Sequence, residues 1–203
     1  MATSSAIMNW NMARFAEALL PAIHSVDPGD VEAAKTLVAD VGEQFRAIWL
    51  ATMRQKLGLG APHSSDAALI DGLFDELERH RPDFTLFFRA LATILRGDSS
   101  AMEALLPAPD AMAPWIAQWW AQLDREPINP IERAAAMDAV NPLYIPRNHK
   151  VEEALAAAEQ GDLAPFLALL DVVRAPYAER TDWSDYAGPA PADDAPYVTF
   201  CGT

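Results

Sequence analysis

The sequence is poor in glycine, in basic residues and in cysteine, and each shortage excludes a class of protein. Only 9 of its 203 residues are glycine, and long stretches lack the β-branched residues that strands favour. Alanine, by contrast, makes up about one residue in five and has the highest helix propensity. These proportions exclude an all-β barrel and predict an all-α fold.

Basic residues are half as frequent as acidic ones. Lysine and arginine total 15 against 29 aspartate and glutamate, a net charge of −14. Phosphate backbones and anionic membrane surfaces repel such a chain, so we expect neither nucleic acid nor a membrane as partner. The sequence also has no apolar run of the roughly 20 residues that a membrane span needs, and its first ten residues do not form a secretory signal. The default compartment is the cytoplasm.

The single cysteine, Cys201, cannot form an internal disulfide or supply a thiolate-based zinc site. A chain of this length buries enough surface to fold without such staples. It suits one domain, or one domain with an appendage.

Apolar residues recur at steps of three and four along most of the chain, which is typical of amphipathic helices. We predict about eight or nine helices packed as an irregular bundle. Their predicted ranges are 10–23, 31–57, 66–81, 83–97, 100–107, 111–125, 129–140, 151–160 and 163–173.

Several predicted helices begin at residues typical of N-caps. Asp30 precedes the second helix, and Asn129 precedes Pro130 at the start of another. Ser100 with Glu103 has the spacing of a capping box.

Two prolines make the segment 141–146 a rigid connector. Periodicity disappears after Pro176. We therefore divide the chain into a helical domain, residues 1–176, and an irregular acidic tail rich in proline and aspartate, residues 177–203, that ends in Cys-Gly-Thr.

Residue patterns alone identify no catalytic, cofactor-binding or metal-binding residue. The four histidines lack the i,i+4 pairing of helical metal sites, and no GxSxG nucleophile motif occurs. Gly58-Leu59-Gly60 resembles a helix stop more than a phosphate-binding loop. Asp40-Val41-Gly42 lies inside the long second helix, where a kinase metal-binding triplet does not belong. The histidines are His24, His63, His80 and His149.

The tryptophans of the helix 111–125 have two interpretations. Trp115 and Trp119 are one turn apart and, with Trp120, could bind a ligand or a partner helix. Core packing is the simpler interpretation, and we favour it.

Six short segments form a collinear set that spans nearly the whole chain. They are WNMARFA (10–16), MRQKLG (53–58), NPLYIPRN (141–148), AEQGD (158–162), RAPY (174–177) and FCGT (200–203). Together they resemble the C-terminal region of the selenoprotein O (SelO) family.

This resemblance implies part of an enzyme. The family comprises protein adenylyltransferases with a kinase-like fold, which transfer AMP from ATP to Ser, Thr or Tyr hydroxyls of proteins. It also implies ATP and magnesium for the complete protein. The family's glycine-rich region, ATP-binding lysine, partner glutamate and metal-binding Asn and Asp precede the segment similar to 10–16, and no position here matches them.

The resemblance therefore predicts the end of a kinase-like C-lobe, a helical scaffold without the nucleotide site. Its expected partners are the upstream catalytic half and the protein substrates of the whole enzyme. The initial Met-Ala-Thr-Ser-Ser is consistent with an expressed fragment, a misassigned start codon or a truncated gene product. The alternative from another class is a stand-alone helical interaction module anchored by the tryptophan helix. Both hypotheses predict exposed apolar surface.

For Cys201, the resemblance implies a redox role, because the family carries cysteine or selenocysteine at this place. The alternative is an inert terminal thiol, since Asp193 and Asp194 disfavour the reactive thiolate. We expect Cys201 to react with alkylating reagents in the native chain.

Overall fold

A computed structural model describes residues 2–20, 28–108 and 110–189, and in these ranges it contains helices and no strand. The predicted all-α class and irregular bundle are confirmed, with ten α-helices in the described residues against the eight or nine expected. The helices are α1 (Ala2–Leu19), α2 (Pro28–Lys56), α3 (Asp66–His80), α4 (Phe84–Leu95), α5 (Ser100–Leu105), α6 (Ala113–Leu123), α7 (Pro130–Val140), α8 (Asn148–Glu159), α9 (Ala164–Arg174) and α10 (Ser184–Ala187).

The chemistry of the N-caps explains where two central helices begin. The Asp83 carboxylate accepts a hydrogen bond from the backbone N–H of Leu86 at 2.9 Å, which starts α4. The Asn129 side chain accepts one from Ile131 N–H at 2.8 Å, with Pro130 at the first helical position of α7. Both starts agree with the predictions, because each cap is a local contact.

Other predicted starts were wrong by a few residues. Helix α2 begins at Pro28, so Asp30 lies in its first turn and is not the cap. Proline suits the first helical position because its missing N–H has no partner there in any case. The N-cap of α5 is Ser99 instead of Ser100, and the Ser99 hydroxyl donates to Glu103.

Helices α1 and α8 also begin earlier than predicted. Helix α1 starts at Ala2 instead of Trp10, and α8 starts at Asn148 instead of Val151. The extra residues 148–150 of α8 are polar and residues 2–6 of α1 are polar or small, so both stretches lack the apolar spacing on which the predictions relied. Ile7 and Met8 of α1 are apolar and lie outside the predicted range.

One apolar core lies between the C-terminal end of α2 and helices α3 to α7. Helix α4 is central: Phe87, Phe88 and Leu91 are almost completely buried. Trp115 and Trp119 of α6 are buried too, and their indole N–H groups donate to the carbonyls of Leu69 and Leu57 at 2.9 and 2.8 Å. The core-packing interpretation of this helix is confirmed.

Two helical hairpins flank that core. Helix α1 packs along α2, and α8 packs along α9. In α1 and α2, the only fully buried residue between 7 and 20 or between 30 and 52 is Gly42, which lies against the Asn9 side chain. The first hairpin thus extends away from the core.

Residues 177–189 of the predicted tail include a 3-10 turn, Thr181–Trp183, followed by α10. The boundary at 176 stays a prediction, as does the similarity to a kinase C-lobe. Cys201 and His24 lie outside the described residues.

Candidate functional site

Three of the six segments that carry the family resemblance, 53–58, 141–148 and 174–177, meet in space near the C-terminal end of α2. Lys56 Nζ donates to the Asn141 side-chain oxygen at 2.7 Å, and the Asn141 amide donates back to the Lys56 carbonyl at 2.9 Å. Asn141 is fully buried. This reciprocal pair joins α2 to the end of α7.

Lys56 lies in a partly apolar setting. Its ammonium is 4.4 Å from the centre of the Phe88 ring, a cation–π contact. Burial lowers the pKa of Lys56 below its ordinary value, because a desolvated ammonium is less favoured than the neutral amine. Among the described residues its hydrogen-bond acceptor is Asn141, so the pair holds the lysine in position.

A second pair is ionic and joins the segment 141–148 to Asp83, the residue before α4. Arg147 forms two hydrogen bonds to the Asp83 carboxylate, at 2.6 and 3.2 Å, and both side chains are largely buried. Burial by itself raises the pKa of Asp83, but hydrogen bonds from Arg147 and from Leu86 N–H, with the charge of Arg147, bring it below its ordinary value. Arg147 thereby fixes the N-cap of α4 to the start of α8.

The third contact brings in the segment that follows α9. The Pro176 carbonyl accepts from the backbone N–H groups of Leu143 and Tyr144 at 2.7 and 3.2 Å. The buried Tyr144 hydroxyl donates to the Arg180 carbonyl and accepts from Arg180 N–H. We call the three contacts together the motif clasp; its residues are Lys56, Asp83, Asn141, Tyr144, Arg147 and Pro176.

A cluster of charges beside the motif clasp was not predicted from the sequence. Arg89 of α4 pairs with Asp138 at 3.1 Å and with Glu179 at 3.2 Å, and Arg96 also pairs with Asp138. They border a surface cavity of about 320 Å³ whose other walls are mainly apolar. Each guanidinium already has a carboxylate partner, so the cluster ties α4 to α7 and to residue 179. In the sequence, this charge cluster is indicated by a single arginine in the otherwise uncharged helix FTLFFRALATIL.

His63 lies in a second, smaller cavity of about 170 Å³ beside α6. Its Nδ1 is 2.7 Å from the Ser65 hydroxyl and 2.8 Å from Arg125 Nη1. Ser65 in turn donates to Gln122 at 2.9 Å. A catalytic histidine needs a free nitrogen facing the serine proton, whereas here the serine proton and the ring nitrogen are both taken. The arrangement anchors the loop between α2 and α3.

A buried ion pair also fixes the loop between α2 and α3. Asp66 lies 2.9 Å from Arg54 and accepts hydrogen bonds from Gln122 and from His63 N–H. It is only 1% exposed. Each of its oxygens has a partner within the chain and the residue is buried, so this carboxylate serves structure.

The remaining candidate residues stay apart. His80 contacts Glu76 within α3, and His149 lies in the first turn of α8. In the described ranges, no three His, Cys, Asp or Glu side chains are grouped so that they could hold a metal ion. Nor does any described helix have the length and apolar character needed to cross a membrane.

The outer faces of the two hairpins carry large exposed apolar side chains. On α1 and α2 these include Trp10, Phe15, Leu37 and Ile48. On α8 and α9 they include Leu155 and Phe166. Exposed apolar surface on this scale is typical of a face that contacts another protein segment.

Comparison with known proteins agrees with the motifs. The family model described as "Protein adenylyltransferase SelO" matches residues 2–174. A protein nucleotidyltransferase YdiU of Sphingopyxis alaskensis is 66% identical over 197 residues, which are 97% of this chain and 40% of the relative.

Relatives from two other bacteria match with lower sequence identity. Proteins with the same name from Chromobacterium violaceum and Rhodococcus jostii are 46% and 43% identical, over 98% and 97% of this chain. The match covers 42% and 38% of those relatives, so the chain spans about two fifths of the length of the curated relatives. With a family model matching most of its helices and relatives matching nearly its full length, this chain belongs to the SelO family of protein nucleotidyltransferases.

Proposed function

We propose that this chain is the helical supporting part of a protein adenylyltransferase, whose nucleotide-binding residues lie in the part of the family protein outside the match. The observation that carries the proposal is the coverage: nearly all of this chain matches, but only about two fifths of the relative. The resemblance supplies the reaction of the whole protein, transfer of AMP from ATP to hydroxyl groups of protein substrates.

Two observations on the described residues support this division of roles. In the part of the chain that the structure describes, no three His, Cys, Asp or Glu side chains are grouped so that they could hold a metal ion. Lys56, the most deeply placed lysine, is held by Asn141 over an aromatic ring. The role we assign is therefore mechanical: the motif clasp and the core keep the helices in one arrangement, on which the catalytic part rests.

The alternative, a stand-alone interaction module anchored by the tryptophan helix, has less support. Trp115 and Trp119 are 3% and 0% exposed, so neither is available to a partner. The exposed apolar faces belong to other helices and suit a supporting part equally well.

Labelled AMP tests the proposal. The purified 203-residue chain is incubated with magnesium, labelled ATP and a general protein substrate, beside a hybrid that joins the unmatched part of the Sphingopyxis relative to this chain. We expect label transfer by the hybrid and none by the chain alone. The full-length relative is the positive control.

Two results would contradict the proposal. Transfer by the 203-residue chain alone would show that it holds a nucleotide site of its own. An inactive hybrid beside an active relative would show that this chain does not support the catalytic part.

A further inference from the structure

One face of α2 carries a line of uncharged residues that runs along most of the helix. The positions follow alternating steps of four and three over 18 residues, about 27 Å of helix. Between residues 37 and 55, every charged residue of α2 lies off this line. We call it the α2 stripe; its members are Leu37, Val41, Gln44, Ile48, Ala51 and Gln55.

The spacing of the α2 stripe is that of a seam between two helices. Alternating steps of three and four keep side chains on one side of a helix, where a second helix packs at a shallow angle. The two largest members, Leu37 and Ile48, are 65% and 66% exposed. The spacing of a seam is thus present in the chain, but its two largest apolar side chains face solvent and Val41 is half-buried.

The first hairpin also buries few of its residues. Apart from Gly42, no residue from 30 to 52 is fully buried in the described structure. Helices in proteins owe most of their stability to packing of an apolar face, and a face that is left uncovered contributes nothing. A long helix of this kind is therefore suited to packing against further chain.

The family supplies chain of sufficient length to cover it. Matching relatives extend over more than twice the length matched here. We propose that the α2 stripe is the contact face for a helix of this unmatched part, with Leu37 and Ile48 as its main apolar anchors. The inference rests on the proposed function and adds to it the surface on which the catalytic part is seated.

Cysteine labelling tests the contact without depending on activity. Cys201→Ser removes the only native thiol, and Ile48→Cys then places one on the α2 stripe. The matched control, Arg46→Cys, places it at an exposed position on the opposite side of α2. Each variant is made in the 203-residue chain and in the hybrid with the unmatched part of the Sphingopyxis relative. The rate of alkylation by iodoacetamide is followed by mass spectrometry of the α2 peptide.

We expect the thiol at position 48 to react at least about 50-fold more slowly in the hybrid, while that at position 46 changes by less than about 3-fold. Equal reactivity of position 48 in both proteins would overturn the inference, and so would equal protection of both positions. AMP transfer by the same hybrid separates the two proposals. If the hybrid is active but the thiol at position 48 stays reactive, the proposed contact face is wrong and the supporting role stands. If the hybrid is inactive but position 48 is protected, the supporting role is wrong and the contact face stands.

Discussion

At the scale of single residues, the motif clasp shows why a buried polar side chain is retained. Asn141 has one acceptor and one donor in use, and both partners belong to Lys56. A buried polar group left without partners costs about 1–3 kcal/mol, whereas a satisfied hydrogen bond contributes about 0.5–1.5 kcal/mol to stability. Removing either Lys56 or Asn141 would therefore leave buried polar groups of the other residue unpaired.

Replacing Asn141 tests this dependence. We expect Asn141→Ala to lower the free energy of unfolding by about 2–4 kcal/mol, because it opens a small cavity and leaves the Lys56 ammonium and carbonyl without partners. Asn148→Ala, at an exposed asparagine of the same segment, should change it by less than about 0.5 kcal/mol. Urea denaturation followed by circular dichroism measures both, and similar losses would contradict the account.

Asp83 makes stability depend on pH. Its pKa in the folded chain lies below the ordinary 3.8, so the ionised carboxylate favours folding. The contribution is complete above the unfolded pKa and is lost as the pH falls through the folded value. Asp83→Asn should be less stable than the parent by a constant amount from about pH 7 to 5, and the gap should shrink below about pH 4. Urea titrations across this range measure the difference in unfolding free energy between the two proteins. A difference that stayed constant down to pH 3 would contradict a lowered pKa for Asp83.

At the scale of elements, the end of α2 depends on a glycine in two ways. Gly58 has φ +70°, in the left-handed region, and a Cβ there would lie 2.7 Å from Met137 Sδ and 3.0 Å from Arg133 Cγ. Gly97, after α4, has φ +87° but open space around it. Gly58 therefore ends α2 and also allows close approach to α7, whereas Gly97 is required only to end α4.

Alanine substitution separates the two requirements. Gly97→Ala should cost about 1 kcal/mol, the strain of a left-handed residue. Gly58→Ala should cost about 1–3 kcal/mol more, because Met137 and Arg133 must also move. Thermal or urea denaturation of both variants gives the difference. Equal losses would show that conformation alone requires the glycine.

At the scale of the whole molecule, burial is unevenly distributed among the described helices. The core around α4 and α6 is closely packed, whereas the first hairpin is held chiefly by contacts between its own two helices. Such a gradient agrees with the proposed supporting part, in which the core carries the motif clasp and the first hairpin is to be covered by further chain.

Hydrogen exchange measures this gradient. Amides of α1 and of α2 before Leu50 should exchange at least about 100-fold faster than those around Phe87 and Leu91 in α4, because regions with few buried contacts open at lower free energy. Mass spectrometry of peptides after timed labelling gives the rates. Uniform protection across α1, α2 and α4 would contradict the gradient.

Much of this protein could be predicted from local chemistry. The all-α class, the start of a helix at Asp83, the cap at Asn129 and the buried Trp115 and Trp119 all depend on residues within a few positions of one another, or on the apolar period of one helix. The family followed from short collinear segments. Cap positions such as Ser99 were missed by one residue, because neighbouring serines compete for one site.

The contacts of the motif residues depended on tertiary structure. Lys56 and Asn141 are 85 positions apart, and Asp83 and Arg147 are 64 apart. Spacing within a helix cannot specify such pairs, because they form only when several helices pack in one arrangement. The same holds for Arg89 and its carboxylates, and for which side of α2 is left exposed. Sequence thus determined the elements and the family, whereas packing decided which side chains meet and which face of α2 is left exposed.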